Sequence, residues 1–452
     1  MYEFHPYFTN DGSVGLYSST YKDIYHSATG ALTEAYEKFI FPIGMNIFLN
    51  KKQIKILDIC YGIGYNTKAL LNYFFENNSK INFSKKNKHA KYGIDTIYTN
   101  KIISKFTNYI DKIYTNNNYN LINKKGINSS RQYNDTLYTN NIPEKIIINA
   151  VETDKVLTFL SPFIKTGEQS IKNTDLDFNS EIVNRYINED QKISSYKINN
   201  LINYLIFDKI SQNYPEIYEN DDFISILFSE KYSRFFEHNI RGIFKYYRNK
   251  IYKTTSVEPK LSFLHNIYYR HISKCYKKAL KAYPLNNVSF NLKIEDARKM
   301  ILHDNNEYDL IFLDAFTPSK CPCLWSFEFL NELYRHLNSE GMLLTYSTSA
   351  AVRSAMIECG FKIGNIYNER EKRVNGTIAV KNVNLIKYPL SEYDLGLLKT
   401  TAGIFYRDKN LTGLNEAIIN SRKEEVKNSD RMSSSKYKRR YKQEDSCNTM
   451  LL

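Results

Sequence analysis

The chain has 452 residues, and its 62 Lys and Arg residues exceed its 48 Asp and Glu residues, for a formal net charge of +14. Its 17 glycines, 10 prolines and six cysteines exclude a collagen-like chain and a disulfide-rich scaffold. No apolar run approaches the roughly 18 residues that a membrane-spanning helix needs, and we see no secretory signal at the start. We therefore expect a cytoplasmic protein with no membrane partner. The basic charge is compatible with a nucleic-acid partner, but the Asn, Lys, Ile and Tyr bias of the whole chain explains it equally well.

Strand-like and helix-like segments alternate along much of the chain, a pattern typical of a mostly parallel sheet covered by helices. We predict an α/β, doubly wound, Rossmann-like fold with seven strands, the last two forming a hairpin. The predicted strands are Ile54–Cys60, Lys145–Val151, Val288–Ile294, Tyr308–Phe316, Gly341–Ser347, Lys362–Ile366 and Thr377–Val380.

Three stretches interrupt or follow this pattern. The α/β domain is predicted to comprise 1–75, 144–160 and 288–420. Residues 76–143 form an Asn/Lys-rich, low-complexity insertion. Residues 161–287 show helical spacing of apolar residues, which predicts a helical insertion that is either a lid or an elaboration without a direct role. Residues 421–452 read as a polar, basic, disordered tail, in which five of the seven residues from Lys436 to Lys442 are basic. That basic run suits RNA, although a solvated tail explains it too.

A glycine-containing turn follows the first strand of the α/β domain. Asp58 ends the strand, Gly62 and Gly64 form the turn, and Asn66 begins a helix. The spacing is neither the Gly-x-Gly-x-x-Gly of NAD enzymes nor a phosphate loop. An acidic residue before a short glycine turn suits a ligand with an ammonium group and no pyrophosphate, such as S-adenosylmethionine.

Acidic residues also follow three further predicted strands. Glu152 is predicted to accept hydrogen bonds from ribose hydroxyls, with Asp95 as the alternative for this role. Asp296, followed by Ala297, is predicted to face the adenine amino group, and Asp314 ends the strongest strand. Each could instead be a helix N-cap. The carboxyl ends of parallel strands are where open α/β sheets bind ligands, so four acids there predict one shared site.

The segment that follows Asp314 resembles a known family. Residues 312–326 read FLDAFTPSKCPCLWS, similar to the block FLDGFAPxKNPxxW of the MnmC/MnmD methyltransferases. Further similar segments are Asp11–Ser13, Tyr25–Ala35, Thr345–Arg353, Lys372–Ala379 and Thr400–Asp408. The resemblance implies a class I S-adenosylmethionine-dependent methyltransferase that methylates the aminomethyl group of wobble 5-aminomethyl-2-thiouridine in the tRNA anticodon loop. Because residues 391–452 are too few for a flavin domain, it implies the methyltransferase-only type.

The resemblance also implies roles for individual residues. Asp314 is the candidate catalytic residue, which binds the amine and accepts its proton. Tyr25, His26 and Glu34 are expected to close over the cofactor. The expected substrate-binding residues are Phe316, Pro318, Lys320, Trp325, Arg353 and Arg373. For Trp325 we favour packing over stacking on the base, and each cation could be an ordinary surface residue.

The chain departs from the family at several positions. Cys60 and Ala315 stand where the family usually has glycine, Ile63 where it has threonine, and Cys321 where it has asparagine. Cys321 and Cys323 lack a second ligand pair, so no metal is expected. Two alternative functions stay open: a methyl- or aminopropyl-transferase acting on a small amine, and an RNA-binding protein with a decayed cofactor site.

Overall fold

The computed structural model describes residues 4–19, 22–25, 30–44, 51–76, 143–164, 202–203, 205–218, 220, 222–223, 226, 235, 287–369 and 371–449. The candidates Asp95 and His26 therefore lie outside the described residues. Of the predicted insertion 76–143, only its two end residues are described. Within the described part of the chain, no helix is long and apolar enough to span a membrane.

The centre of the protein is a seven-stranded sheet, which confirms the predicted doubly wound α/β fold. The strands are β4 (Gln53–Ile59), β5 (Lys145–Glu152), β6 (Val288–Ile294), β7 (Tyr308–Leu313), β8 (Leu337–Thr345), β9 (Lys362–Asn368) and β10 (Arg373–Val380). Their order across the sheet is β6-β5-β4-β7-β8-β10-β9. All neighbouring pairs are parallel except those of β10, which runs antiparallel to both β8 and β9.

The helices of the described chain are short. They are α1 (Ala31–Ala35), α2 (Tyr65–Glu76), α3 (Lys155–Leu160), α4 (Pro215–Tyr218), α5 (Ala297–Leu302), α6 (Phe327–His336), α7 (Ala350–Glu358), α8 (Glu392–Leu398), α9 (Asn415–Lys427) and α10 (Ser434–Thr449). Side chains alternate between the two faces of each strand. Ile54 and Ile56 of β4 therefore join one apolar core, and Leu57 and Ile59 join the other.

The order of the strands determines where a ligand can bind. The chain moves outward from β4 through β5 to β6 and then returns to β7 on the other side of β4. Connections therefore leave β4 and β7 in opposite directions, which opens a crevice at the carboxyl ends of these strands. The predicted acidic residues lie at this edge.

A small antiparallel sheet, which the sequence analysis did not predict, precedes the domain. It consists of β1 (Phe4–Phe8), β2 (Val14–Ser18) and β3 (Asp23–Ile24). Asp11 and Ser13, in the turn between β1 and β2, accept hydrogen bonds from the first backbone amides of α1: Thr33 N to Asp11 Oδ2 at 2.7 Å and Ala31 N to Ser13 Oγ at 2.9 Å. These bonds satisfy amides that the helix leaves unpaired. The segment Asp11–Ser13 thus fixes α1 against the sheet.

Part of the predicted insertion 161–287 is described, and it belongs to the core. Residues 205–213 and α4 are helical. Phe207 and Tyr218 are buried, with ring centroids 4.9 Å apart, and contact Phe159 and Phe163 beside α3. The proposed domain boundaries stay a prediction.

The prediction that 421–452 is disordered was wrong for its described residues. Helix α9 extends to Lys427, and α10 covers Ser434–Thr449. The sequence analysis judged this segment by its low apolar content, but tyrosines supply the packing. Tyr437 and Tyr441 contact Tyr393 of α8, with ring centroids 5.8 and 4.9 Å apart.

Candidate active site

A cavity of about 540 Å³ lies at the carboxyl ends of the central strands. Its wall contains seven acidic and three basic side chains, a net formal charge of −4 in a chain whose net charge is +14. The acidic residues are Asp23, Glu34, Glu152, Asp154, Glu295, Asp296 and Asp314, and the basic ones are Lys38, Arg298 and Lys320. Concentrated negative charge of this kind favours a cationic ligand.

The turn after β4 is made of residues with left-handed backbone. The φ angles of Cys60, Gly62 and Gly64 are 61°, 57° and 83°. Glycine adopts this conformation freely, whereas a side chain costs free energy there. At Gly64 a Cβ atom would also collide with the ring of Tyr61. Cys60, which lines the cavity, therefore occupies a position whose backbone favours glycine.

Asp58 lies beneath this turn rather than in the cavity wall, contrary to its predicted place around the ligand. Its carboxylate is fully buried and accepts a hydrogen bond from the Thr67 hydroxyl at 2.6 Å. Among the described residues, its Oδ1 atom has no hydrogen-bond partner. Burial raises the pKa of Asp58 to about 8, so the carboxyl is largely protonated at neutral pH. This arrangement makes Asp58 a support for the turn.

Glu152, at the end of β5, connects two walls of the cavity. Its Oε2 accepts the Gly62 amide at 2.8 Å, and its Oε1 accepts the amides of Thr153 and Asp154 at 2.8 and 2.9 Å. Burial raises its pKa, and these backbone hydrogen bonds partly oppose the increase. Because a carboxylate oxygen accepts two hydrogen bonds, Oε2 retains capacity for one further donor. This is enough for one ribose hydroxyl rather than the expected two.

Asp296 is the N-cap of α5, the alternative role considered for each strand-end acid. Its Oδ1 accepts the Arg298 amide at 2.8 Å, and its Oδ2 accepts Arg298 Nη2 at 2.7 Å. Burial alone would raise the pKa of Asp296, but the Arg298 guanidinium lowers it below its ordinary value. Asp296 and Ala297 both line the cavity. Asp296 therefore caps the helix and still lies in the wall where the ligand is expected.

Asp314 follows β7 directly and faces Asn66, the second residue of α2. The Asn66 side-chain amide donates to Asp314 Oδ2 at 2.9 Å, and both residues line the cavity. Burial raises the pKa of Asp314 to about 6, while the Asn66 hydrogen bond and the nearby Lys38 lower it. A carboxylate with such a pKa is ionised at neutral pH and is a stronger base than an exposed aspartate.

Aromatic side chains and two ion pairs also line the cavity. Tyr25 and Phe316 line the cavity, with ring centroids 4.9 Å apart. Lys320 forms an ion pair with Asp23 at 2.8 Å, which joins the segment after β7 to the N-terminal sheet. Glu34 is paired with Lys38 at 2.9 Å on the same side. Tyr25 and Glu34 therefore line the cavity, and their expected closure over the cofactor stays a prediction.

Two of the residues expected to bind substrate have structural roles instead. Trp325 is fully buried, and its Nε1 donates to the Phe316 carbonyl at 2.8 Å, so it positions Phe316 from behind the wall. Arg353 is 3% exposed and donates to Thr377 Oγ1 at 2.9 Å and Asn365 Oδ1 at 2.6 Å. A guanidinium held in this way cannot reach an RNA phosphate. The sequence predicts a surface position for Arg353, because the charge of a side chain carries no information on its burial.

Arg373 and Pro318 lie outside the cavity lining among the described residues. Arg373 is largely exposed and paired with Glu371 at 2.6 Å, and Pro318 is partly exposed beside Thr317, which lines the cavity. Their predicted contacts with RNA stay predictions.

The structure also adds residues to the site that the sequence analysis did not select. Lys38 and Tyr346 line the cavity, and the Tyr346 hydroxyl donates to the Ala315 carbonyl at 2.8 Å. The signal for Lys38 was its spacing of four residues from Glu34 on a helix. Cys321 and Cys323 also line the cavity, with their Sγ atoms 3.7 Å apart.

Comparison with known proteins agrees with this geometry. Residues 259–382 match a family model described as S-adenosyl-L-methionine-dependent methyltransferase. The chain is 29% identical over 119 residues to the tRNA 5-methylaminomethyl-2-thiouridine biosynthesis bifunctional protein MnmC of Paracidovorax citrulli, and 33% identical over 94 residues to that of Delftia acidovorans. Over these residues the chain is similar to S-adenosylmethionine-dependent methyltransferases and to MnmC.

The matched regions are short relative to the proteins compared. The MnmC alignments cover 26% and 21% of this chain, and 18% and 15% of the respective relatives. An uncharacterised protein of Methanocaldococcus jannaschii is 34% identical over 137 residues, which is 30% of this chain and 38% of that protein. The crystal structure of MnmC2 from Aquifex aeolicus aligns with 94% of this chain and 84% of its own, at 17% identity and a TM-score of 0.46.

Proposed function

We propose that this MnmC-like protein transfers a methyl group from S-adenosylmethionine to the amine of wobble 5-aminomethyl-2-thiouridine in the tRNA anticodon loop. The observation that carries the proposal is the acidic cavity at the carboxyl ends of β4 and β7, in which Asp314 lies beside the aromatic pair Tyr25 and Phe316. Support for the RNA substrate comes from the matched MnmC proteins, whose names state this biosynthesis.

The wall formed by β4, β5 and α5 fits the cofactor. S-adenosylmethionine, when bound, supplies an electrophilic methyl group on a positively charged sulfur. The cavity's excess of acidic side chains stabilises that charge. The free acceptor capacity of Glu152 suits a ribose hydroxyl, and the left-handed Gly62 and Gly64 allow the backbone to approach closely.

The part of the cavity lined by Tyr25 and Phe316 fits an aminomethylated base. Their rings offer flat apolar surface, and Asp314 precedes Phe316 by two residues and lines the same cavity. The amine must lose a proton to expose its lone pair, and Asp314, with its pKa raised to about 6, accepts a hydrogen bond and then a proton from it. Asn66 fixes the orientation of this carboxylate, and fixed geometry can supply much of the rate enhancement.

A direct test uses purified protein, isotopically labelled S-adenosylmethionine and tRNA from cells that accumulate the aminomethyl nucleoside. Nucleoside mass spectrometry should show one added methyl on that nucleoside. Asp314→Asn should abolish most transfer while retaining cofactor binding, and Glu358→Gln, an exposed carboxylate at the end of α7, should not change it. Tight cofactor binding without any methylated nucleoside would refute the proposal.

An acidic cavity also accommodates a small cationic amine, so a transferase for small amines is the second candidate. The two differ in their response to salt. Transfer to tRNA should fall steeply between 50 and 200 mM salt, because phosphate contacts release counterions, whereas transfer to a free amine should change little.

A tRNA substrate would also place the protein in the cytoplasm.

A further inference from the structure

The first half of helix α10 exposes basic residues. Between Asp430 and Glu444 the sequence contains six basic residues and no acidic one, and Glu444 and Asp445 follow near the end of the helix. Lys436, Lys438 and Arg439 are exposed, and none of the three forms an ion pair with any residue that the structure describes. The preceding helix α9 differs, because it carries three acidic and three basic residues.

The helix is held to the domain by a tyrosine cluster that leaves those charges outward. Tyr437 and Tyr441 are four residues apart and therefore share one face of α10. The Tyr437 hydroxyl donates to the Tyr393 carbonyl at 3.3 Å, and a Cβ atom at Gly396 would collide with that hydroxyl. Arg439 lies on the opposite face of the helix, and Lys436 and Lys438 flank the tyrosines.

A continuous set of contacts connects this helix to the cavity. Tyr346, in the cavity wall, follows β8 and precedes α7. Arg353 in the first half of α7 is 3.6 Å from Asp394 of α8, and Tyr393 beside it contacts α10. The basic surface is therefore attached to the catalytic domain and does not move as a separate tail.

We propose that Lys436, Lys438 and Arg439 form a docking surface for the phosphate backbone of RNA, an inference that rests on the proposed tRNA substrate. Phosphates interact with Lys and Arg without regard to sequence, so this surface would supply affinity and orientation while the cavity selects the nucleoside. Exposed cations on a helix that is fixed by packing are suited to this role.

The size of the effect follows from counterion release. Three phosphate contacts contribute about 2–3 to the slope of log affinity against log salt, at roughly 0.7–0.9 per contact. Between 50 and 200 mM salt, that slope corresponds to a change in affinity of about 20- to 40-fold. Removing the three cations should therefore lower the salt slope by about 2–3, so that the loss of tRNA affinity is about 20- to 40-fold larger at 50 mM salt than at 200 mM salt.

The test compares wild type with the triple variant Lys436→Gln/Lys438→Gln/Arg439→Gln. A matched control, Lys52→Gln/Lys145→Gln/Lys362→Gln, removes three exposed cations at the amino ends of β4, β5 and β9, opposite the cavity edge. Direct binding of unmodified tRNA is measured from 50 to 200 mM salt, together with S-adenosylmethionine binding and thermal unfolding.

The triple variant should bind tRNA more weakly than wild type, and this loss should be about 20- to 40-fold larger at 50 mM salt than at 200 mM salt. Its cofactor dissociation constant and melting temperature should match wild type. The control variant should stay within about threefold of wild type. Equal losses in both variants, no loss in the triple variant, or binding to anionic lipid vesicles instead of tRNA would overturn the inference. If tRNA binds through α10 but no methyl is transferred, the proposed reaction is refuted and the docking surface is supported. If wild type and triple variant have the same kcat/KM for tRNA, the docking surface is refuted and the proposed reaction is supported.

Discussion

Replacing Cys60 tests the strain that the structure places in the turn after β4. Cys60 has a φ angle of 61°, and the resemblance suggested glycine as the usual residue there. We compare Cys60→Gly with Cys60→Ala, since both variants remove the sulfur and only the alanine retains a Cβ atom. Their difference in stability therefore reports on the backbone conformation.

The magnitude follows from two opposing contributions. A side chain in the left-handed region costs about 1–2 kcal/mol relative to glycine. Glycine in turn increases the entropy of the unfolded chain, which destabilises by about 0.4–1 kcal/mol. The glycine variant should accordingly be more stable than the alanine variant by about 0.8 kcal/mol, within a range of roughly 0–1.6 kcal/mol. At an exposed helical position such as Ala417 of α9, glycine should instead destabilise by about 1 kcal/mol.

Urea denaturation followed by circular dichroism measures these differences, with Ala417→Gly as the reference for the opposite sign. S-adenosylmethionine binding is measured on the same samples, because Cys60 also lines the cavity. If Cys60→Gly were less stable than Cys60→Ala by the amount seen at Ala417, the left-handed conformation assigned to this turn would be wrong.

Four further outcomes are expected. Methyl transfer at saturating substrates should fall as pH drops below about 6, because Asp314 then takes up a proton, and a rate constant independent of pH between 5 and 8 would contradict its role as base. The unfolding free energy should decrease by about 1.4 kcal/mol per pH unit as pH rises from about 4 to about 8, because the folded state keeps the Asp58 proton that the unfolded state has lost. Asp58→Asn should remove most of this pH dependence. Arg353→Leu should lower the free energy of unfolding by a few kcal/mol, since it leaves Asn365 and Asp394 without their buried partner. A higher KM for tRNA with unchanged stability would instead support a role of Arg353 in binding RNA. Trp325→Phe should lower the rate of methyl transfer while the protein stays folded, because the Phe316 carbonyl loses the indole hydrogen bond. Kinetics and the melting temperature, measured on one preparation, would test this.

The sequence predicted the sheet because strands buried on both faces leave a local signature. Runs such as Leu310–Leu313 of β7 are apolar throughout, and the intervening helices set the parallel order. The acidic residues were found for a similar reason. Glu152 and Asp314 directly follow strong strands, so their position at the sheet edge is a local property of the chain.

The errors concern contacts beyond the strand or helix in which each residue lies. Arg353 was assigned to RNA because nothing near it in sequence reveals Thr377 and Asn365, which bind it. The segment of α10 was assigned to a disordered tail because the Tyr393 that packs against it lies more than forty residues earlier. Asp58 was expected to face the ligand, but the hydrogen bond to Thr67 holds its carboxylate beneath the turn.

The amino-acid sequence by itself determined which segments form the strands, where the glycine turn lies, and which acidic residues end the strands. Each of these features depends on residues within one turn or strand. Only the tertiary structure decided which acids share the cavity, which cations remain exposed, and that Trp325 supports the wall from behind. Burial and hydrogen-bond partners set the ionisation and accessibility of a side chain, and both arise from segments brought together by folding.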